Sequence, residues 1–137
     1  MLHTNRPFLA KITDPEVLLT AWQKIKTKRS KGGIDRVTIE DFTANAEREL
    51  ERLRLELITE KYVPEPLKVI SIPKTKDFTQ TRQIGLASVR DKVAQEAVRL
   101  AIEPILEQLF LDCSYGYRQG KGTGRAIKRV SHYTNFF

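Results

Sequence analysis

Lysine and arginine are the side chains with the clearest chemistry in this sequence, because they cluster. From Cys113 to Phe137 the chain carries Arg118, Lys121, Arg125, Lys128 and Arg129 and no acid. Gly116, Gly120, Gly122 and Gly124 alternate with them, so the backbone can approach a ligand closely. Tyr115 and Tyr117 offer flat faces on which a base or sugar can rest. The plain alternative is a solvated loop whose tyrosines belong to a core. A second cluster, Lys24 to Arg36, holds six cations and one acid, Asp35; lysines at a helix end also complement the helix dipole. A third pairs Lys74 with Arg82. On adjacent antiparallel strands they would clamp a polyphosphate, the ammonium as a point charge and the guanidinium gripping oxygens bidentately. A solvated strand face is the alternative there.

Other chemistry is thinly supported. No complete catalytic constellation is visible. Asp91 and Glu96 stand five apart, on different faces of a helix, and read as capping and surface groups. His3 and His132 read as solvated, and Cys113, with no His nearby, as a small packing residue. One cysteine excludes an internal disulfide, and with two histidines it leaves too few ligands for a Cys/His zinc site.

The 137 residues fit one domain or one lobe of a larger one, and 40% apolar with 30% charged residues is globular rather than disordered composition. A net charge of +7, from 24 Lys+Arg against 17 Asp+Glu, points to an anionic partner, nucleic acid first. No apolar run approaches a membrane span, and Met1 to Pro7 lacks the apolar stretch of a signal peptide. The expected compartment is therefore reducing, the cytoplasm.

The elements that must carry these groups are mostly helical. Residues 1–13 read as an irregular lead-in. Asp14-Pro15-Glu16 is a helix start, followed by an apolar face of Val17, Leu18, Ala21, Trp22 and Ile25 that ends at Gly32-Gly33. Thr38-x-x-Asp41 resembles a capping box, and Ile39, Phe42, Ala46, Leu50, Leu53 and Leu57 predict one long helix over about 39–60, closed by Pro64 and Pro66. Residues 67–73 and 80–86 predict an antiparallel hairpin. Ser88-x-x-Asp91 suggests another capping box, opening a helix that Pro104 should kink or split, with the second part running to about Phe110. A loop over 111–122 precedes a last helix from near Thr123. The fold class is α+β, helices packed around a hairpin.

In order, six segments resemble the amino-terminal portion of bacterial group II intron-type reverse transcriptases (maturases) and their retron- and CRISPR-associated relatives. They are Lys31-Gly32-Gly33-Ile34-Asp35-Arg36-Val37-Thr38; Tyr62-x-Pro64-x-Pro66; Ile72-Pro73-Lys74; Val89-Arg90-Asp91-Lys92-Val93-x-Gln95; Glu103-Pro104-Ile105-Leu106-Glu107; and Ser114-Tyr115-Gly116-Tyr117-Arg118. The resemblance implies the fingers subdomain and the start of the palm of a right-hand polymerase over residues 31–137, behind an N-terminal helical extension over 1–30. It implies that Lys74 and Arg82 hold the triphosphate of the incoming dNTP. It also implies that Gly33, Ile34, Asp35 and Arg36 lie near the RNA template, with Arg90, Gln95, Arg118 and Lys121 as template contacts and Arg125 joining them from the basic cluster.

The sequence departs from the family at several points. The Lys74–Arg82 loop is longer and lacks its usual glycine, so Lys76 competes with Lys74 as the triphosphate lysine. Arg36 stands where the family has a second glycine, and Arg82 to Ala87 lacks both usual prolines. The family's metal-binding aspartates come later than Phe137, and hard cations such as Mg²⁺ need carboxylate oxygens. The resemblance therefore implies a full-length RNA-directed DNA polymerase using Mg²⁺, RNA template, RNA/DNA duplex and dNTP, and a 137-residue chain that is inactive alone and truncated before those aspartates. Ile127, Val130, Phe136 and Phe137 would form an exposed palm-facing surface that favours a homodimer or a partner. Two readings compete: a stand-alone RNA-binding or chaperone module, and a protein-interaction domain whose charge only keeps it soluble.

Overall fold

The computed structural model of the chain describes residues 6–28, 32–74 and 80–134. Lys76, His3, Phe136 and Phe137 lie outside the described residues.

The first helix, α1 (Pro7–Ile12), occupies what the sequence predicts as irregular lead-in. It buries no residue, so it leaves no hydrophobic period to read. Its one local signal is Pro7 in the first turn, where a fixed φ is already helical and no N–H is missed. In α2 (Pro15–Thr27) the Asp14 carboxylate accepts from Glu16 N at 2.8 Å, and Leu18, Ala21, Trp22 and Ile25 face inward as their spacing predicts.

The single helix expected over 39–60 is two helices, α3 (Ile39–Ala44) and α4 (Ala46–Ile58). The Thr38–Asp41 capping box forms in both directions and holds the Asp41 carboxyl below the usual carboxylate range. The break is at Asn45, whose φ of −125° and ψ of 19° end α3. The Asn45 side-chain amide donates to Asp41 O at 3.3 Å, a local bond that competes with the helical ladder. Phe42 of α3 packs against Trp22 with the rings tilted at 43° and their centroids 4.6 Å apart, and Leu53 of α4 is buried in the same cluster.

The hairpin pairs β1 (Lys68–Pro73) with β2 (Thr81–Leu86) antiparallel, Ile70 opposite Ile84 and Ile72 opposite Arg82. Ile70, Ile72, Ile84 and Leu86 share its half-buried face. Helix α5 (Val89–Leu109) then adds Val89, Val93, Ala94 and Ala97 to the core. It is one continuous helix through Pro104, so of the predicted kink or split the split is absent. Proline has no N–H to give the Leu100 carbonyl, and the division of the chain into two compact units, Met1–Ala101 and Ile102–Phe137, falls within a turn of that gap.

The second unit holds the end of α5, the loop over 110–122 and α6 (Thr123–Thr134). Among its described residues beyond α5, only Arg118 is buried; Ile127, Val130 and Tyr133 are exposed. Cys113, expected to pack, is exposed as well. No helix of the described residues is long and apolar enough to cross a membrane.

Candidate nucleic-acid interface

The loop of Gly32 to Arg36 is held against the start of α5 by its glycines. A Cβ on Gly33 would fall 2.6 Å from the Cα and N of Ser88, and one on Gly32 would fall 2.4 Å from Val37 O. Beyond this close approach Ile34, Asp35 and Arg36 are exposed. Arg36 has φ 61°, the left-handed region that favours glycine. The departure from the family's second glycine therefore sits on a backbone made for it. Arg36→Gly should stabilise the chain by about 0.5–1 kcal/mol, read as a raised urea midpoint. A lowered midpoint would contradict the strain.

Ser88 Oγ accepts from Asp91 N at 3.1 Å, one half of the box the sequence suggests, while the Asp91 carboxylate is turned to other donors. Asp91 itself, expected as a surface group, is 2% exposed. Its carboxylate accepts from Tyr62 OH at 2.6 Å and from Glu65 N at 2.9 Å. It thereby fastens the Tyr62-x-Pro64-x-Pro66 segment to α5. Burial, with the Asp91 bond next, pushes the Tyr62 phenol well above its ordinary pKa. Glu96, also expected on the surface, is 6% exposed and bonds Arg99 at 2.6 Å. Lys24 and Lys28 of the second basic cluster stand 3.9 and 3.8 Å from it. The Arg99 bond, ahead of the lysine charges, holds the Glu96 carboxyl below its usual range. Sequence spacing missed both burials because it shows the helix face and not the partners that make a buried carboxylate tolerable.

Arg90 donates to both Glu56 carboxylate oxygens and lies over the Tyr62 ring, 5.4 Å from its centroid. It borders a groove of about 320 Å³ that Asp35, Asp41, Glu49 and Glu65 make largely acidic. Gln95 is exposed on α5. In the hairpin, Lys74 N donates to Gln80 O at 2.8 Å, extending the ladder one step past Pro73. With Ile72 opposite Arg82, the two-residue period puts Lys74 and Arg82 on one face as diagonal neighbours, both exposed.

In the second unit Arg118 is 9% exposed. Its Nε and Nη2 donate to Glu107, the shortest contact 2.6 Å, and its Nη1 donates to Leu111 O and Ser114 O, both at 2.8 Å. The guanidinium also covers the Phe110 ring at 5.1 Å. The bond to Arg118 holds the Glu107 carboxyl below its ordinary pKa. This arginine therefore closes its own loop.

The neighbouring cations are arranged differently. Lys121, Arg125, Lys128 and Arg129 line a pocket of about 320 Å³ with Tyr115 and one acid, Asp112. Arg129 donates to Asp112 O at 3.0 Å and to Tyr115 OH at 3.4 Å, and Lys121 lies over the Tyr115 ring at 5.9 Å. Arg125 is exposed. Lys128 and Arg129 belong to the basic cluster read from the sequence but were not named there as template contacts, although steps of three and four from Arg125 put all three on one helix face. Four cations against one carboxylate make this the described pocket best suited to phosphate oxygens.

No protein-family model matches the chain. It is similar to the protein YkfC of Escherichia coli K12, 37% identical over 123 residues, which is 87% of this chain and 31% of that protein. It is similar to the group II intron-encoded protein LtrA of Lactococcus lactis subsp. cremoris, 30% identical over 118 residues, 85% of this chain and 19% of LtrA. The putative COX1/OXI3 intron 2 protein of Saccharomyces cerevisiae is 29% identical over 139 residues, 97% of this chain and 16% of the yeast protein. The chain thus spans a third or less of these relatives.

Proposed function

The chain is a relative of the group II intron-encoded proteins, and from that premise we propose that it is the fingers portion, with the start of the palm, of an RNA-directed DNA polymerase of that type, its role being to grip template and incoming nucleotide. The observation that carries this reading is the pocket of Lys121, Arg125, Lys128 and Arg129, four cations facing one acid. Phosphodiester oxygens are hard, multiply bonded acceptors, and a cluster of Lys and Arg donors matches them.

Within this reading Lys121 and Arg125 contact the RNA backbone, and Gly33 to Arg36 with Gln95 border the template. Lys74 and Arg82, on one hairpin face, clasp the triphosphate of a dNTP. Arg90 reaches the template after exchanging Glu56 for a phosphate. Arg118 shapes the loop. Mg²⁺ would supply the charge that phosphoryl transfer needs at the attacking and leaving oxygens. Among the described residues no three His, Cys, Asp or Glu side chains gather into a metal site.

Binding of a short single-stranded RNA by the 137-residue chain across a salt series tests the reading. With about four phosphate contacts, log affinity should fall against log salt with a slope of about −3. A flat response would overturn it.

A further inference from the structure

Tyr117 combines two features that are separately unfavourable. Its φ is 56°, in the left-handed region where a bulky side chain crowds its own backbone. Its ring is also fully exposed, at 111% of the reference area, so no packing contact offsets the strain. Glycine relieves such a conformation, and this loop uses it freely, at Gly116, Gly120 and Gly122.

The neighbouring residue holds the conformation in place. Arg118 ties Glu107, Leu111 O and Ser114 O together from the buried side of the loop. Lys121 N closes the following turn onto Arg118 O at 3.2 Å. A backbone fixed on both sides of Tyr117 leaves its ring no inward rotation to a core, and the second unit offers none. Strain that a rigid surround maintains at an exposed aromatic is the pattern of a preorganised ligand contact.

We propose that Tyr117 is a stacking platform for one unpaired nucleobase, presented by the Arg118 clamp. The proposal rests on the RNA-binding reading and names the feature of the RNA that this loop takes. The same loop supplies Tyr115 and Lys121 to the cationic pocket, and no acid occurs from Cys113 to Phe137. That charge favours a polyanion over an apolar protein surface as the ligand of the ring. An exposed π-face accepts any base, but only one that is free of a duplex stack.

The test compares a short single-stranded RNA with an abasic phosphodiester strand of the same length, both against the 137-residue chain. Tyr117→Ala should weaken RNA binding about tenfold and leave abasic binding unchanged, with the same salt slope for both proteins. Tyr117→Gly, which releases the backbone, should keep the parent's circular dichroism and lose RNA affinity as the alanine variant does. Tyr117→Trp should keep the affinity, and its emission should be quenched by RNA and not by the abasic strand. Parent-like RNA binding by both truncated variants overturns the platform and leaves the cationic pocket standing. Equal losses on both strands also overturn it, since the ring would then support the loop rather than a base. If the parent binds neither strand, both readings fall.

Discussion

Asp91→Ala should cost the chain about 3 kcal/mol of folding stability, measured as a lowered urea midpoint at unchanged m value. The carboxylate is buried, and it is the acceptor for both Tyr62 OH and Glu65 N. Alanine leaves a half-buried phenol and a backbone N–H facing a void, each worth roughly 1–3 kcal/mol when deprived of its acceptor. Tyr62→Phe should cost less, about 1 kcal/mol, because Asp91 keeps Glu65 N. The double variant should lose less than the sum, since the pair shares one bond. A midpoint for Asp91→Ala within experimental error of the parent would mean that this bond does not exist in solution. The same bond has an alkaline signature. The folded Tyr62 phenol titrates above its ordinary pKa, so above about pH 10 the unfolded chain releases a proton that the folded chain retains. Stability should therefore decline as pH rises from that point, and Tyr62→Phe should remove that part of the decline.

Gly33→Ala should be damaging for a different reason. The added Cβ meets the Cα and N of Ser88 at 2.6 Å and the carbonyl carbon of Ala87 at 2.9 Å, all of them backbone. No side chain can rotate away, so the Gly32–Arg36 loop must lift from the start of α5 or α5 must shift. About 2–3 kcal/mol is the scale of such overpacking. RNA affinity should fall with it if the loop borders the template. Gly124→Ala is the control, since its Cβ enters open space in the first turn of α6. The same chemical change there should gain up to about 0.5 kcal/mol. Urea melts of the two variants decide the matter, and equal midpoints would refute the close approach at Ser88.

These contacts give the family-like segments a second meaning. Gly33 seats its loop on Ser88, Asp91 fastens Tyr62 and Glu65, and Arg118 joins Glu107 to the loop over 111–118. In each case residues of two separated segments are joined by one buried or close contact. Residues read from the sequence as template contacts include one, Arg118, whose donors are occupied by Glu107 of α5 and by two carbonyls of its own loop. Arg90 is likewise paired with Glu56. Lys74 and Arg82 are instead exposed on one face of the hairpin, and Lys121, Arg125, Lys128 and Arg129 cluster around Tyr115.

What could be read from the order of residues was local. Asp14-Pro15 started a helix, Thr38 and Asp41 formed their box, the strands paired in the expected place and α6 began at Thr123, because caps, β-branched runs and glycine breaks act within a few residues. The excess of cations and the six ordered segments likewise point to a polyanion and to a family from the sequence alone. The tertiary structure alone decided which charges face solvent and which face each other. Glu96 and Asp91 became interior, Arg118 became a clamp and Tyr117 was turned outward, since a charge enters the interior only where partners distant in sequence complete its hydrogen bonds. The break at Asn45 belongs to the same class, for nothing in the apolar period of α3 and α4 interrupts it, and the packing of Phe42 against Trp22 is a tertiary contact that this period does not show.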